Sequence, residues 1–139
     1  MKKYFSLILI AVSLSVAAQE TAVEKHLIDI ALEKCIREAD YNEKAIAQCL
    51  MEALKSWKAE VEKNYQQLYA VLDEPNRKKL EEAKKQWQEY EGSENVLARG
   101  LYGDKNKYPY GIVPISRSID LLKMRAADLK EYYDLLGRR

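Results

Sequence analysis

The chain has 139 residues, 23 basic and 22 acidic, for a formal net charge of +1, with one histidine and two cysteines. So balanced a charge supplies no global field to draw in nucleic acid or an anionic membrane surface. One histidine and two cysteines cannot complete a four-ligand zinc site without carboxylates, so no metal or other cofactor is expected.

The amino terminus predicts export. Met1-Lys2-Lys3 is a short positive segment, and Phe5 to Val16 is an apolar run of about twelve residues. Val16 and Ala18 are small enough for the −3 and −1 positions of a signal peptidase, which places the cut after Ala18. A membrane span needs about 20 apolar residues, and no later segment is apolar enough to supply one. Residues 1–18 therefore read as a signal peptide and residues 19–139 as one helical domain, periplasmic or secreted. Cleavage removes Lys2 and Lys3, leaving the mature chain close to neutral.

Helix-forming residues dominate the mature chain. Between Gln19 and Glu91 there is no glycine and one proline, Pro75. A first helix is expected over residues 21–39, with Val23, Leu27, Ile30, Ala31, Cys35 and Ile36 spaced three or four apart. Asp40-Tyr41-Asn42 interrupts it, and Asp40 or Asn42 can cap the next helix. That second helix is expected over residues 43–72. Ile46, Cys49, Leu50, Ala53, Leu54, Trp57, Val61, Tyr65, Leu68 and Leu72 form one apolar stripe along it, opposite a charged face.

Asp73-Glu74-Pro75 ends the second helix and opens a third, which continues through Leu80, Ala83, Trp87 and Tyr90. Gly92-Ser93 is a place where it can kink or break, after which Val96, Leu97 and Leu101 are apolar. Residues 103–114 carry two prolines and two glycines and are expected as a long loop. A last helix is expected over residues 116–136, with Ile119, Leu122, Ala126, Leu129, Tyr133 and Leu136 on its apolar face. Short turns at 40–42 and 73–75 make consecutive helices antiparallel neighbours. The expected fold is thus all-α, an antiparallel up-down bundle of about four helices.

In an exported chain with two cysteines, Cys35 and Cys49 are expected to pair. They lie seven residues on either side of Asn42, where two helices of a hairpin face each other. Closing such a loop contributes about 3 kcal/mol in the chain-entropy model. The alternative reading is a pair of free or metal-binding thiols.

Trp57, Glu60, Tyr65, Leu68 and Leu72, followed by Leu80, Ala83 and Trp87, make a signature. Together with Cys35 and Cys49 it resembles the LprI-like lysozyme-inhibitor N-terminal domain family of small exported bacterial proteins. That family has two cysteines, a Trp-Asp-x-Glu-Leu-Asn-x-x-Tyr-x-x-Leu core and a Gln-x-x-Trp helix. Arg125-x-x-x-Leu129 looks like its closing Arg-x-x-x-Leu element. This chain departs at Lys58, Val61-Glu62 and Lys84, and it has Glu91-Gly92 where the family often has Arg-Asp. The resemblance covers about residues 33–130. It implies a helical fold and inhibition of a lysozyme-like muramidase, with Trp57, Glu60, Tyr65, Leu68, Leu72, Leu80, Trp87 and Arg125 as its structural positions.

Catalytic signatures are not evident. His26 stands alone, and there is no His-Glu-x-x-His, Gly-rich phosphate loop or Cys-x-x-Cys. An enzyme is not expected; a glycan-active one would need two carboxylates about 5–10 Å apart in a cleft. Trp57 and Trp87 lie in apolar stripes, where a core role explains them, and Tyr65 and Tyr90 are expected on the same seam.

The compositional oddity is ten tyrosines against one phenylalanine. Tyr102, Tyr108 and Tyr110 cluster with Lys105 and Lys107 around the long loop, as a candidate partner-binding surface for a protein or a glycan. These tyrosines can also serve to pin the loop onto the bundle. The leading expectation is an exported binding protein, an inhibitor acting by occlusion. The alternative is an envelope structural or assembly protein that interacts through an exposed helical face.

Overall fold

His26 sets where the first helix begins. In a computed structural model that describes residues 25–102 and 110–137, the His26 ring Nδ1 accepts the Ile28 N–H at 3.2 Å and caps α1, Leu27–Glu38. The expected start at residue 21 is therefore corrected as far as Lys25 and His26 are concerned. Val23 and the expected signal segment lie outside the described residues. α1 turns Ile28, Leu32, Cys35 and Ile36 inward, with Ala39 at its cap; of the expected stripe Cys35 and Ile36 are half-buried, whereas Leu27, Ile30 and Ala31 are exposed.

The link to α2, Glu43–Val71, is a tight turn with Asp40 at φ 44° and Tyr41 at φ 59°. Of the two candidate caps, Asn42 is used: its Oδ1 accepts the Ala45 N–H at 3.0 Å. Cys35 and Cys49 are joined across this hairpin, with their Cα atoms 5.8 Å apart. The apolar stripe expected on α2 is buried or half-buried at every position from Ile46 to Leu72.

Asp73 Oδ1 accepts the Asn76 N–H at 3.0 Å and opens α3, Glu74–Tyr102. α3 runs through Gly92-Ser93 without a break, which corrects the expected interruption. A lone glycine in a helix costs only about 1 kcal/mol, which tertiary packing outweighs. Its inward face also differs from the expectation. Leu80 and Ala98 are buried, with Lys84, Trp87, Glu91 and Asn95 half-buried between them, whereas Ala83 and Tyr90 are exposed.

A 3-10 turn, Tyr110–Ile112, leads into α4, Val113–Leu136. The helix starts three residues before the expected Ser116 because Pro114 falls in its first turn, where a missing N–H costs nothing. Leu121, Leu122 and Leu129 are the most deeply buried side chains.

These elements form an all-α up-down bundle of four helices. α4 is its centre. It packs most extensively on α2 and next on α3, while α1 packs on α2. Successive helices alternate in direction, so α2 and α4 run parallel. Ile46, Leu50, Ala53 and Trp57 of α2 meet Ile119, Leu122 and Ala126 of α4 in one cluster. Tyr65, Leu68, Leu80 and Leu129 form a second cluster towards the α2–α3 turn. Asn64, buried between them, donates to the Ala126 carbonyl at 2.9 Å.

Candidate functional site

Two concave surfaces flank the α2–α4 seam. On the α1 side is a cleft of about 560 Å³ lined by His26, Asp29, Trp57, Glu60, Lys123 and Met124. The His26 ring lies against the Trp57 indole with centroids 4.5 Å apart, and the Lys123 ammonium stands 5.7 Å from the same ring. Lys123 pairs with Asp29 at 2.7 Å, and Glu60 pairs with Lys63 at 3.0 Å, with His26 Nε2 at 3.8 Å. Each carboxylate here has a cationic neighbour, and the contacts hold the start of α1 to the bundle. Trp57 is 4 % exposed, and its Nε1–H finds no acceptor among the described residues.

On the opposite side α2 and α3 spread from their shared turn, and α4 floors the gap. The result is a groove of about 260 Å³ with Val61, Tyr65, Trp87, Leu122 and Leu129 as its apolar lining. Lys84 crosses its rim to pair with Glu62 at 3.0 Å, its ammonium 4.0 Å from the Tyr65 ring centroid. Glu62 also accepts from Gln66 at 2.7 Å. The Gln66 and Lys84 hydrogen bonds hold the Glu62 carboxyl below the usual glutamate value.

Arg125 lies in this groove, half-buried, with its guanidinium carbon 5.8 Å from the Trp87 ring centroid. Burial pulls its pKa below the usual arginine value, opposed by the field of Asp128. Among the described residues it makes no hydrogen bond and no ion pair. A desolvated cation that keeps its donors free is a ready partner for an anion.

The third feature is the end of the bundle formed by the α1–α2 turn and the start of α4. Ala39, Ile112 and Ile115 all pack on the cluster that contains Ile46. Tyr41 is 92 % exposed there, at the tip of the disulfide-linked hairpin. Tyr102 closes α3 and Tyr110 opens the 3-10 turn. Lys105, Lys107 and Tyr108 lie outside the described residues.

Of the signature positions, Trp57, Tyr65, Leu68 and Leu80 are buried, and Glu60, Leu72, Trp87 and Arg125 are half-buried. The structure brings Tyr65, Trp87 and Arg125 to one groove, whereas Trp57 and Glu60 line the opposite cleft. Sequence reasoning placed the 40–42 turn but missed Tyr41 as the exposed side chain at its tip, and it missed the buried Asn64. It also missed that Arg125 stands free in a groove, although a signal existed. Arg125 falls three residues after Leu122 and four before Leu129, on the apolar face of α4.

Among the described residues there is no cluster of three or more potential metal-ligating side chains, and no helix is long and apolar enough to cross a membrane. A family model described as lysozyme inhibitor LprI matches residues 35–132. No curated protein and no solved structure matches the chain.

Proposed function

The chain belongs to the lysozyme inhibitor LprI family, and from that premise we propose that it is an exported binding protein that inhibits a lysozyme-like muramidase by occlusion. The family match carries the reading, since it runs from the first disulfide cysteine into the last helix. The disulfide and the signal-like segment before Ala18 support a periplasmic or secreted location. The exposed Tyr41 at the tip of the disulfide-linked hairpin supports the mode of action, with Tyr102 and Tyr110 proposed as part of the same surface. A rigid, tyrosine-bearing projection gives contact area at low entropic cost and needs no chemistry of its own. The Lys105–Tyr108 stretch is proposed as part of the same surface.

The purified mature chain, assayed against several lysozymes at micromolar concentration, is expected to slow peptidoglycan hydrolysis. The double variant Tyr108→Ala/Tyr110→Ala and the single variant Tyr41→Ala are expected to weaken that effect. No inhibition of any muramidase would sink the reading.

A second reading has one observation in its favour. Val96, Leu97 and Leu101, near the end of α3, are each more than half exposed. Contiguous apolar side chains on a surface helix suit an envelope assembly protein that pairs through that face. Sedimentation that depends on protein concentration, abolished by Leu97→Lys, would favour it over inhibition.

A further inference from the structure

We propose that the groove between α2 and α3 binds an acidic peptide segment of a partner protein, with the Arg125 guanidinium receiving its carboxylate. This goes beyond the muramidase reading and does not depend on it.

Charge is the first argument. Lys58 and Arg125 both line the groove, and neither is paired among the described residues. Lys84 and Glu62 neutralise one another at 3.0 Å. Glu91 lines the groove as well but lies beyond ion-pair distance of Arg125. The groove lining thus presents two cations outside any ion pair against one such carboxylate, with the field of Asp128 reaching Arg125 from outside the lining. Its Arg125 charge is the partly desolvated one, where an anion gains most from pairing.

Shape and chemistry choose among anions. Val61, Leu122 and Leu129 offer an aliphatic floor suited to the side chain next to an acidic residue. A sugar acid would need an open aromatic face for ring stacking. Both aromatic rings of the groove already have a cation at a face: Arg125 over Trp87 at 5.8 Å and Lys84 over Tyr65 at 4.0 Å. A carboxylate flanked by a leucine-like side chain fits what is left. The guanidinium, held against Trp87, has lost part of its freedom before the ligand arrives.

The test titrates the labelled mature protein with two capped tripeptides, Leu-Glu-Leu and Leu-Gln-Leu, and with N-acetylmuramic acid. The Trp87 indole and Arg125 Nε–H resonances are followed by NMR. The Glu peptide is expected to shift both resonances and to bind at least about tenfold more tightly than the Gln peptide. Arg125→Gln is expected to remove that preference and Arg125→Lys to keep part of it. Equal binding of the two peptides, or shifts confined to the Trp57 cleft, would overturn the proposal. Shifts from N-acetylmuramic acid with both peptides silent would overturn it in favour of a glycan. The comparison of peptides on the wild-type chain stands whether or not the arginine variants fold.

Discussion

Asn64 on α2 donates its side-chain amide to the Ala126 carbonyl of α4 at 2.9 Å, a hydrogen bond between residues 62 apart in sequence. It is the buried polar residue of the core and ties the parallel helices at mid-height. Asn64→Asp removes the donor and aims a carboxylate at a carbonyl oxygen in an apolar setting. A loss of about 1–3 kcal/mol is expected in urea unfolding, with Asn64→Leu costing less because it buries no unpaired polar atom.

Tyr41 sits at φ 59° and is almost fully exposed, so its ring contributes little packing while its Cβ strains the turn. Tyr41→Gly is expected to raise stability by up to about 1 kcal/mol, measured by the same unfolding curves. The same variant should inhibit a muramidase less well. A stabilised variant with undiminished inhibition would remove Tyr41 from the proposed contact surface.

Gly92 lies within α3, and a Cβ added there would meet nothing within 4 Å. Gly92→Ala should therefore stabilise by about 1 kcal/mol through helix propensity alone. A thermal melt that moves down instead would mean that the glycine serves a bend required in solution.

α1 has no fully buried residue of its own, and the Cys35–Cys49 bond closes a separation of 14 residues. Cys35→Ser/Cys49→Ser is expected to cost about 3 kcal/mol. Amide exchange should speed up across α1 before it does across α2 and α4, because α1 is the least buried helix.

Glu62 has its pKa lowered by Gln66 first and Lys84 second. A carboxyl lowered in the folded state stabilises above its unfolded value, near 4.5, and that contribution fades as pH falls through the lowered value. The pair is exposed, so the contribution is only a few tenths of a kcal/mol after solvent screening. Carbon-detected NMR titration should find the Glu62 pKa raised only part of the way in Lys84→Met, since Gln66 still donates.

How far the sequence could be read depended on how cleanly each helix separates its faces. Every apolar position expected on α2 lies at least half-buried, because α4 and α1 both pack on its apolar side and its back is charged. α4 was legible from Ile119 to Leu129 and at Leu136, with two exceptions: Tyr133, expected on the apolar face, is exposed near the helix end, and Leu121 is buried because the central helix has neighbours on more than one side. On α3 the stripe misled. Lys84 is drawn inward by Tyr65 and Glu62, while Ala83 and Tyr90 turn to solvent. α1 was rotated relative to expectation, since its face is set by a turn with two non-glycine residues at positive φ. No glycine marked that turn in the sequence. The free state of Arg125 depends on how far α2 and α3 spread, which no local pattern encodes.

The parallel seam between α2 and α4 also governs the order in which this protein can become itself. The largest interface joins segments about sixty residues apart, with the whole of α3 between them. A chain delivered amino-terminus first can form the α1–α2 hairpin but has no core to collapse onto until the final helix emerges. If the chain is exported as an unfolded thread, as proposed above, that delay is useful. α4 is the segment that completes the fold, so what precedes it lacks its main packing partner until α4 has been synthesised.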